Sequence, residues 1–333
     1  MKPKKKELPL VEPMYSTYHY QGVSTAVIAK NPSIRNFCLN NVMLLTCTRK
    51  FLGGFTTPEL GVAQSSLNNN PHLVKKRFPM RYLGGYLHFV IRRLLDDGIY
   101  VCFSGVDDFY LPGKTFCGTR HFDHDGCICG YDTSDGTYLV YAYDKTWVYR
   151  TFRVPVAAFD AGRHSSEARG VFGDLCAVYP TPEEVVFSPD TALRKIAEYL
   201  DSDMKKHPES GTGSVAGTAV HDYMALYLDR LIDGSVPYER FDRRVFRLIW
   251  EQKKVMLERI LKIEETLHTG GIGDAYKAVV READNCRMLY AAHAMRPHPA
   301  FLPVIREKLL ALKEREASLL GMLLEKTKGE KTE

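Results

Sequence analysis

Apolar residues recur at two spacings along this chain, and the change falls near residue 180. Before it, Leu87, Val90, Ile91, Leu94 and Leu95 repeat at three and four, which predicts an amphipathic helix over Tyr86 to Asp96 ended by Gly98. Runs at 99–103, 126–131, 138–143, 147–154 and 175–179 are rich in β-branched and aromatic residues and predict strands. Asp135-Gly136, between the second and third runs, is a hairpin signal. In NFCLNNVMLLTCTRKFLGG, residues Val42, Met43, Leu44, Leu45, Cys47 and Phe51 cover more than one helical stripe. That predicts a buried helix from an N-cap at Asn36 to a stop at Gly53-Gly54. Residues 1–32 read as irregular, with a short strand at 23–29, and 53–80 read as loop with turn signals at 68–71.

After Pro180-Thr181-Pro182 the period is helical almost throughout, at 191–206, 215–232, 240–268, 274–295 and 299–326. Gly211/Gly213, Gly234/Pro237, Gly270-Gly271 and Pro297/Pro299 separate these segments. The expected architecture is α+β over 1–180, with a helix first, an antiparallel sheet after it and an irregular leader over 1–32. An all-α domain over 181–333 is expected to follow.

The 333 residues are 45% hydrophobic and 11% aromatic, which excludes a disordered chain. No run approaches the ~20 apolar residues that cross a bilayer. The lysine-rich start has no apolar stretch behind it, so no secretory signal is read and a cytoplasmic location is expected. Net charge is +5, and Lys2, Lys4, Lys5 and Lys6 sit in the leader. No Arg/Lys stripe with interleaved aromatics stands out, so neither nucleic acid nor membrane is an expected partner. A mild basic excess suits an acidic protein partner. The eight cysteines are read as reduced.

One of them carries the chemical expectation. Cys38 falls in the first turn of the predicted helix, where unpaired N–H groups and the positive dipole end favour a thiolate. His124 stands at the mouth of a strand and Asp144 at the end of the next. Adjacent antiparallel strands bring such positions together, so Asp144 would orient His124, and His124 rather than His121 would take the Cys38 proton. Zinc is the competing reading for Cys117, His121, His124, Cys127 and Cys129. Their C-x3-H-x2-H-x2-C spacing fits no standard site, and no metal is expected.

The run LLDDGIYVCFSGVDDFYLPGKTFCGTRHFDHDGCICGYDTSDGTYLVYAYD carries Val106, Asp107, Leu111, Pro112, His124, Gly130, Tyr131, Asp132 and Asp144. In these positions residues 34–180 resemble the N-terminal domain family of butirosin biosynthesis protein H, a papain-like cysteine branch. A helical C-terminal extension commonly accompanies that domain. The resemblance implies a papain-like fold and a Cys38–His124–Asp144 triad. It also implies acyl transfer from a carrier-protein thioester to an amine, in the manner of an amide synthase of natural-product biosynthesis. No cofactor of the chain's own is implied; the acyl donor is phosphopantetheine on the partner carrier protein. Papain-like peptidases place a Gln shortly before the nucleophile. Here Asn31 and Pro32 stand there, leaving Gln21, Asn36 or only the Cys38 N–H for the oxyanion. Tyr110, His121 and Tyr223 are expected to line the substrate site, with His221, Tyr227 and Tyr290 as further helical-domain positions. A homodimer is compatible with this reading. The alternatives are a papain-like peptidase or amidase, and a non-catalytic binding homologue.

Overall fold

The computed structural model describes residues 4–48, 57–65, 70–201, 214–237 and 241–329. It divides into two compact units, Met1–Ile34 with Ser66–Glu184, and Arg35–Ser65 with Val185–Glu333. The passage from the first unit into the helical one falls at 184/185, close to the change in sequence period. Segment 35–65, which contains Cys38, belongs with the helical unit.

The first unit begins with β1 (Lys5–Glu7) and α1 (His19–Ala26), the latter followed by a 3₁₀ turn over Val27–Lys30. The chain leaves this unit within α2 (Ser33–Asn41), forms β2 (Leu45–Thr48) and β3 (Leu60–Val62) in the other, and returns at β4 (Leu73–Pro79). Then come α3 (Leu87–Asp96), β5 (Tyr100–Asp107), β6 (Asp123–Asp132), β7 (Thr137–Tyr143), β8 (Tyr149–Pro155), α4 (Val156–Ala168) and β9 (Asp174–Pro180). Seven strands make one antiparallel sheet, ordered β4-β9-β5-β6-β7-β8, with β1 also paired to β6. The fold class is therefore α+β, with antiparallel sheets and a helical C-terminal part.

β6 organises this sheet. Its first half pairs with β5 and its last three residues pair with β1. The change of partner coincides with a register shift between Ile128 and Gly130 against β7. A Cβ on Gly130 would lie 2.5 Å from the Lys6 carbonyl oxygen, so the approach of β1 requires glycine there. The β6–β7 turn is built as its sequence predicts, with Gly136 at φ +66° and Asp135 accepting from the Thr137 amide. α3 buries Leu87, Ile91 and Leu95 and closes with Gly98 at φ +78°, whose amide bonds to the Leu95 carbonyl.

The second unit has a three-stranded sheet, β10-β2-β3, in which β10 is Ser214–Ala216. Its helices are the rest of α2, α5 (Pro189–Leu200), α6 (Ala219–Ile232), α7 (Val245–Leu267), α8 (Ile272–Met295) and α9 (Phe301–Gly329). Ser188 caps α5 by accepting from the Thr191 amide, with Pro189 at the first position. In the interior, Lys253 donates to Glu316 at 2.6 Å and to the Tyr199 hydroxyl at 2.8 Å, and Tyr276 also donates to Glu316. All four side chains are fully buried, so the charges are matched and hydrogen-bonded where water cannot reach.

Several elements differ from the sequence expectation. The helix expected over 36–53 is α2 ending at Asn41, followed by β2; the Gly53-Gly54 stop lies outside the described residues. An all-round apolar run has no period of its own, and the two threonines in Leu45-Thr46-Cys47-Thr48 alternate with buried residues as a strand requires. Segment 23–29 is the end of α1 and a 3₁₀ turn, not a strand. The stretch read as loop contains β3 and β4. β4 is an end strand of the sheet, and Lys75, Lys76 and Arg77 obscure its pattern. α4 has no apolar stripe to announce it, because two of its three buried residues are Gly162 and Ser166.

Candidate functional site

Cys38 lies on α2, but not in its first turn. Asn31, rather than Asn36, begins the helix: its side-chain oxygen accepts from the Ser33 amide. Cys38 is the sixth residue of nine, so its carbonyl is among the four at the C-terminal end. Arg259 of α7, itself fully buried, donates to the carbonyls of Cys38 at 3.1 Å, Leu39 at 2.5 Å and Val42 at 2.9 Å. Gln252 donates to Met43, and Asn40 links the Val186 carbonyl to the Ser188 amide. The thiol is 1% exposed. Burial pushes it up to about 12, against the opposing positive fields of Arg259 and Arg35. The expected helix-start depression of this thiol is absent because the residue sits toward the negative end of the dipole, out of water.

His124 and Asp144 belong to the other unit. The β6–β7 ladder ends at Cys127 and Tyr141, three residues short of both His124 and Asp144, and Asp144 lies just past β7. The carboxylate is not used on the imidazole. Asp144 accepts from the Thr146 amide at 2.8 Å and hydroxyl at 2.6 Å, from the Val148 amide at 3.1 Å, and from Arg150. Burial alone would raise its pKa, but these donors prevail and hold it down to about 2.

The group against His124 is Lys114. Its ammonium nitrogen lies 3.2 Å from His124 Nδ1 and 3.3 Å from Asp108 Oδ1, and Asp108 Oδ2 is 3.9 Å from the same Nδ1. The Lys114 side chain is 1% exposed and that of Asp108 5%. His19 of α1 stands nearby, its ring centroid 6.4 Å from that of His124, and Tyr149 bonds to its Nδ1. Burial and then the Lys114 charge push His124 down to about 4 and His19 to about 3. Burial lifts Asp108 to about 6 despite Lys114, and lowers Lys114 despite Asp108. Sequence reasoning missed this cluster. The signal was present in Asp107-Asp108 and Lys114, which bracket the Leu111-Pro112 turn.

A carboxylate does orient an imidazole here, at His121. Its Nδ1 lies 2.6 Å from Asp107 Oδ2, and the ring stacks on Phe109 with centroids 4.5 Å apart. Asp107 is completely buried and also accepts from the Phe109 and Phe122 amides, Ser165 and Arg169. Those donors hold its carboxyl below the usual range against the desolvation that would raise it. The His121 side chain is 52% exposed. The base–orienter contact expected of His124 and Asp144 is thus made by His121 and Asp107.

Of the other expected site residues, Tyr110 is exposed and 6.3 Å from the His121 ring, so these two share a surface. Gln21 is fully buried on α1. The Asn36 amide donates to the Val185 carbonyl in the helical unit, and Tyr223 is buried on α6. Cys127 and Cys129 are buried strand residues. Among the described residues no group of three or more His, Cys, Asp or Glu is arranged to hold a metal ion. Nor, among those residues, is any helix long and apolar enough to cross a membrane. No protein-family model matches this chain, and no curated protein matches it.

Proposed function

We propose that the chain is a papain-like cysteine acyltransferase that forms amide bonds. Cys38 takes an acyl group from a carrier-protein thioester. Its thiol proton passes through the imidazole site to the departing phosphopantetheine thiolate. An amine then attacks the Cys38 thioester, loses a proton to the site and releases Cys38 as thiol. His124 is the imidazole of the reading, and Asp144 its orienting carboxylate. What supports the reading is the sequence resemblance, with His124 on β6 and Asp144 just past the end of its antiparallel neighbour β7, in a sheet that follows a helix-borne cysteine. A thioester is already activated, so neither ATP nor a metal enters these steps.

A second reading, a binding protein that keeps the architecture without the chemistry, is favoured by the buried, protonated state of Cys38. Intact-protein mass separates the two. Incubation with acyl thioesters of a phosphopantetheinylated carrier protein should add one acyl mass to the wild type and none to Cys38→Ala. Added amine should then discharge it as amide. Discharge as free acid across a broad amine panel would favour a hydrolase. Absence of any adduct across the thioester panel would favour the binding protein.

A further inference from the structure

We propose that Phe116, Phe122 and Trp147 form an aromatic shelf leading to His124, and that this shelf binds a planar aromatic ring carrying a carboxyl-derived oxygen. The proposal names the acyl group of the acyl-transfer reading as aromatic and rests on that reading for this alone. Every residue of the shelf belongs to the first unit.

The rings meet in series. Trp147 meets Phe116 edge to face with centroids 6.3 Å apart, Phe116 meets Phe122 at 5.1 Å, and the Phe122 centroid lies 5.3 Å from that of His124. The series is open to solvent: Trp147 is 59% exposed and Phe122 37%. Contiguous exposed rings beside a half-buried imidazole offer a ligand ring both burial and the offset or edge contacts that aromatic pairs prefer.

Trp147 is held there under strain. Its φ is +59°, in the left-handed region that glycine adopts freely and a bulky residue does not. It sits in the connection between β7 and β8, where its amide donates to the Asp144 carbonyl at 3.0 Å and the Asp144 amide donates to the Val148 carbonyl at 2.9 Å. The Asp144 side chain accepts from the amides of Thr146 and Val148. A hairpin turn of this kind favours glycine at its left-handed position. The connection is also tied to the segment bearing Phe116. The Lys145 amide donates to the Gly113 carbonyl at 2.7 Å, and the Thr115 hydroxyl donates to the Asp144 carbonyl at 3.2 Å. The fold thus carries backbone strain to present a tryptophan whose surface is mostly in water, so contacts within the chain do not account for it.

Charge selects the polar end of the ligand. Lys114 lies 3.2 Å from His124 Nδ1, and the Arg120 guanidinium lies over the Phe116 and Phe122 rings at 5.5 and 6.0 Å. Of the carboxylates nearby, Asp108 faces Lys114, Asp144 binds Arg150, and Asp125 feels the Lys114 charge. Arg120 and Lys145 pair with no carboxylate among the described residues. The remaining positive charge attracts a carboxylate or thioester oxygen and repels an ammonium. The ring is therefore that of the acid and not that of the amine.

The test is ligand-observed NMR titration of the full-length chain with phenylacetate, cyclohexylacetate and benzylamine near pH 7.5. Phenylacetate should bind, cyclohexylacetate should bind about fivefold more weakly, the scale of one aromatic contact, and benzylamine should not bind measurably. Trp147→Gly should weaken phenylacetate about tenfold or more, as loss of a central tryptophan does. Its thermal midpoint should stay at or above that of the wild type, because glycine relieves the left-handed strain. A lowered midpoint with phenylacetate binding unchanged would make Trp147 a packing residue and overturn the proposal. Equal binding of phenylacetate and cyclohexylacetate, a preference for benzylamine, or no binding of phenylacetate overturns it as well. So does concentration-dependent self-association that Trp147→Gly abolishes, since a second copy of the chain would then cover the shelf. Should phenylacetate bind as expected while no thioester loads Cys38, the acyl-transfer reading fails and the shelf stands as a binding site for an aromatic acid. An adduct on Cys38 without phenylacetate binding keeps the acyl-transfer reading and removes this one.

Discussion

The guanidinium of Arg259 donates to the backbone carbonyl of Cys38 at 3.1 Å and to two further carbonyls of the same helix end. One side chain therefore completes the terminus that positions the thiol, in a place where water cannot substitute.

Arg259→Met should be strongly destabilising. It removes the Arg259 donors from the buried Leu39 and Val42 carbonyls, while the Cys38 carbonyl keeps the Val42 amide at 2.9 Å; a buried acceptor left unmade costs about 1–3 kcal/mol. Chemical denaturation should show a fall of about 1–3 kcal/mol, and Arg259→Lys should recover only part of it, because one ammonium cannot span the same fork. A change below ~1 kcal/mol would mean that the helix end finds other donors.

Thiol reactivity should rank by exposure. Cys117 is the exposed cysteine, whereas Cys38 is buried with its pKa near 12. Iodoacetamide at pH 7.5 should modify Cys117 first and leave Cys38 among the slow sites in the free protein. Peptide mapping after short exposure checks this; rapid alkylation of Cys38 would show that its described environment is not the one in solution.

Stability should fall as pH drops from about 6.5 toward 4. His19, His124 and His221 have folded pKa values depressed to about 3, 4 and 3. The unfolded chain therefore binds more protons than the folded one in this window, which makes stability rise with pH. Asp108, raised to about 6, acts with the opposite sign and offsets part of the slope, as does Asp125. Denaturation midpoints measured across this range should slope accordingly, and His221→Asn should make the slope shallower. A flat profile would contradict the burial of these rings.

Gly130→Ala should detach β1 before it disturbs the rest of the sheet. The added methyl meets the Lys6 carbonyl oxygen at 2.5 Å and the Glu7 Cα at 3.1 Å, and both are backbone. Limited proteolysis should then cut within the first dozen residues faster than in wild type. Unchanged cleavage would mean that β1 adjusts without leaving.

Helix 86–96 was legible from its three-four repeat, and strands 126–131, 138–143 and 175–179 as short runs rich in β-formers bounded by turn residues. The α2–β2 corner was not. Its apolar residues would be buried in either conformation, and the donor that meets the helix-end carbonyls is Arg259, more than two hundred positions away. That His124 and Asp144 lie on or beside two paired strands, β6 and β7, could be read from sequence because strand pairing is a local ladder. Their actual partners, Lys114 and Arg150, could not be read, since a long side chain chooses among charges that only the fold assembles. Asp107 and His121 sat inside the recognised run, but nothing in their spacing shows that the chain turns back between them.

The interrupted path of the chain through its two units sets an order of assembly. Residues 35–65 leave the first sheet before most of it exists, and they join helices that emerge from the ribosome only after residue 184. During synthesis the cysteine-bearing helix must wait, its last carbonyls solvated, until Arg259 arrives. A shortened chain ending near 180 would keep every strand of the large sheet and yet never complete the surroundings of Cys38. Removing the C-terminal helices is thus not the trimming of an accessory domain but the loss of the cysteine's own housing.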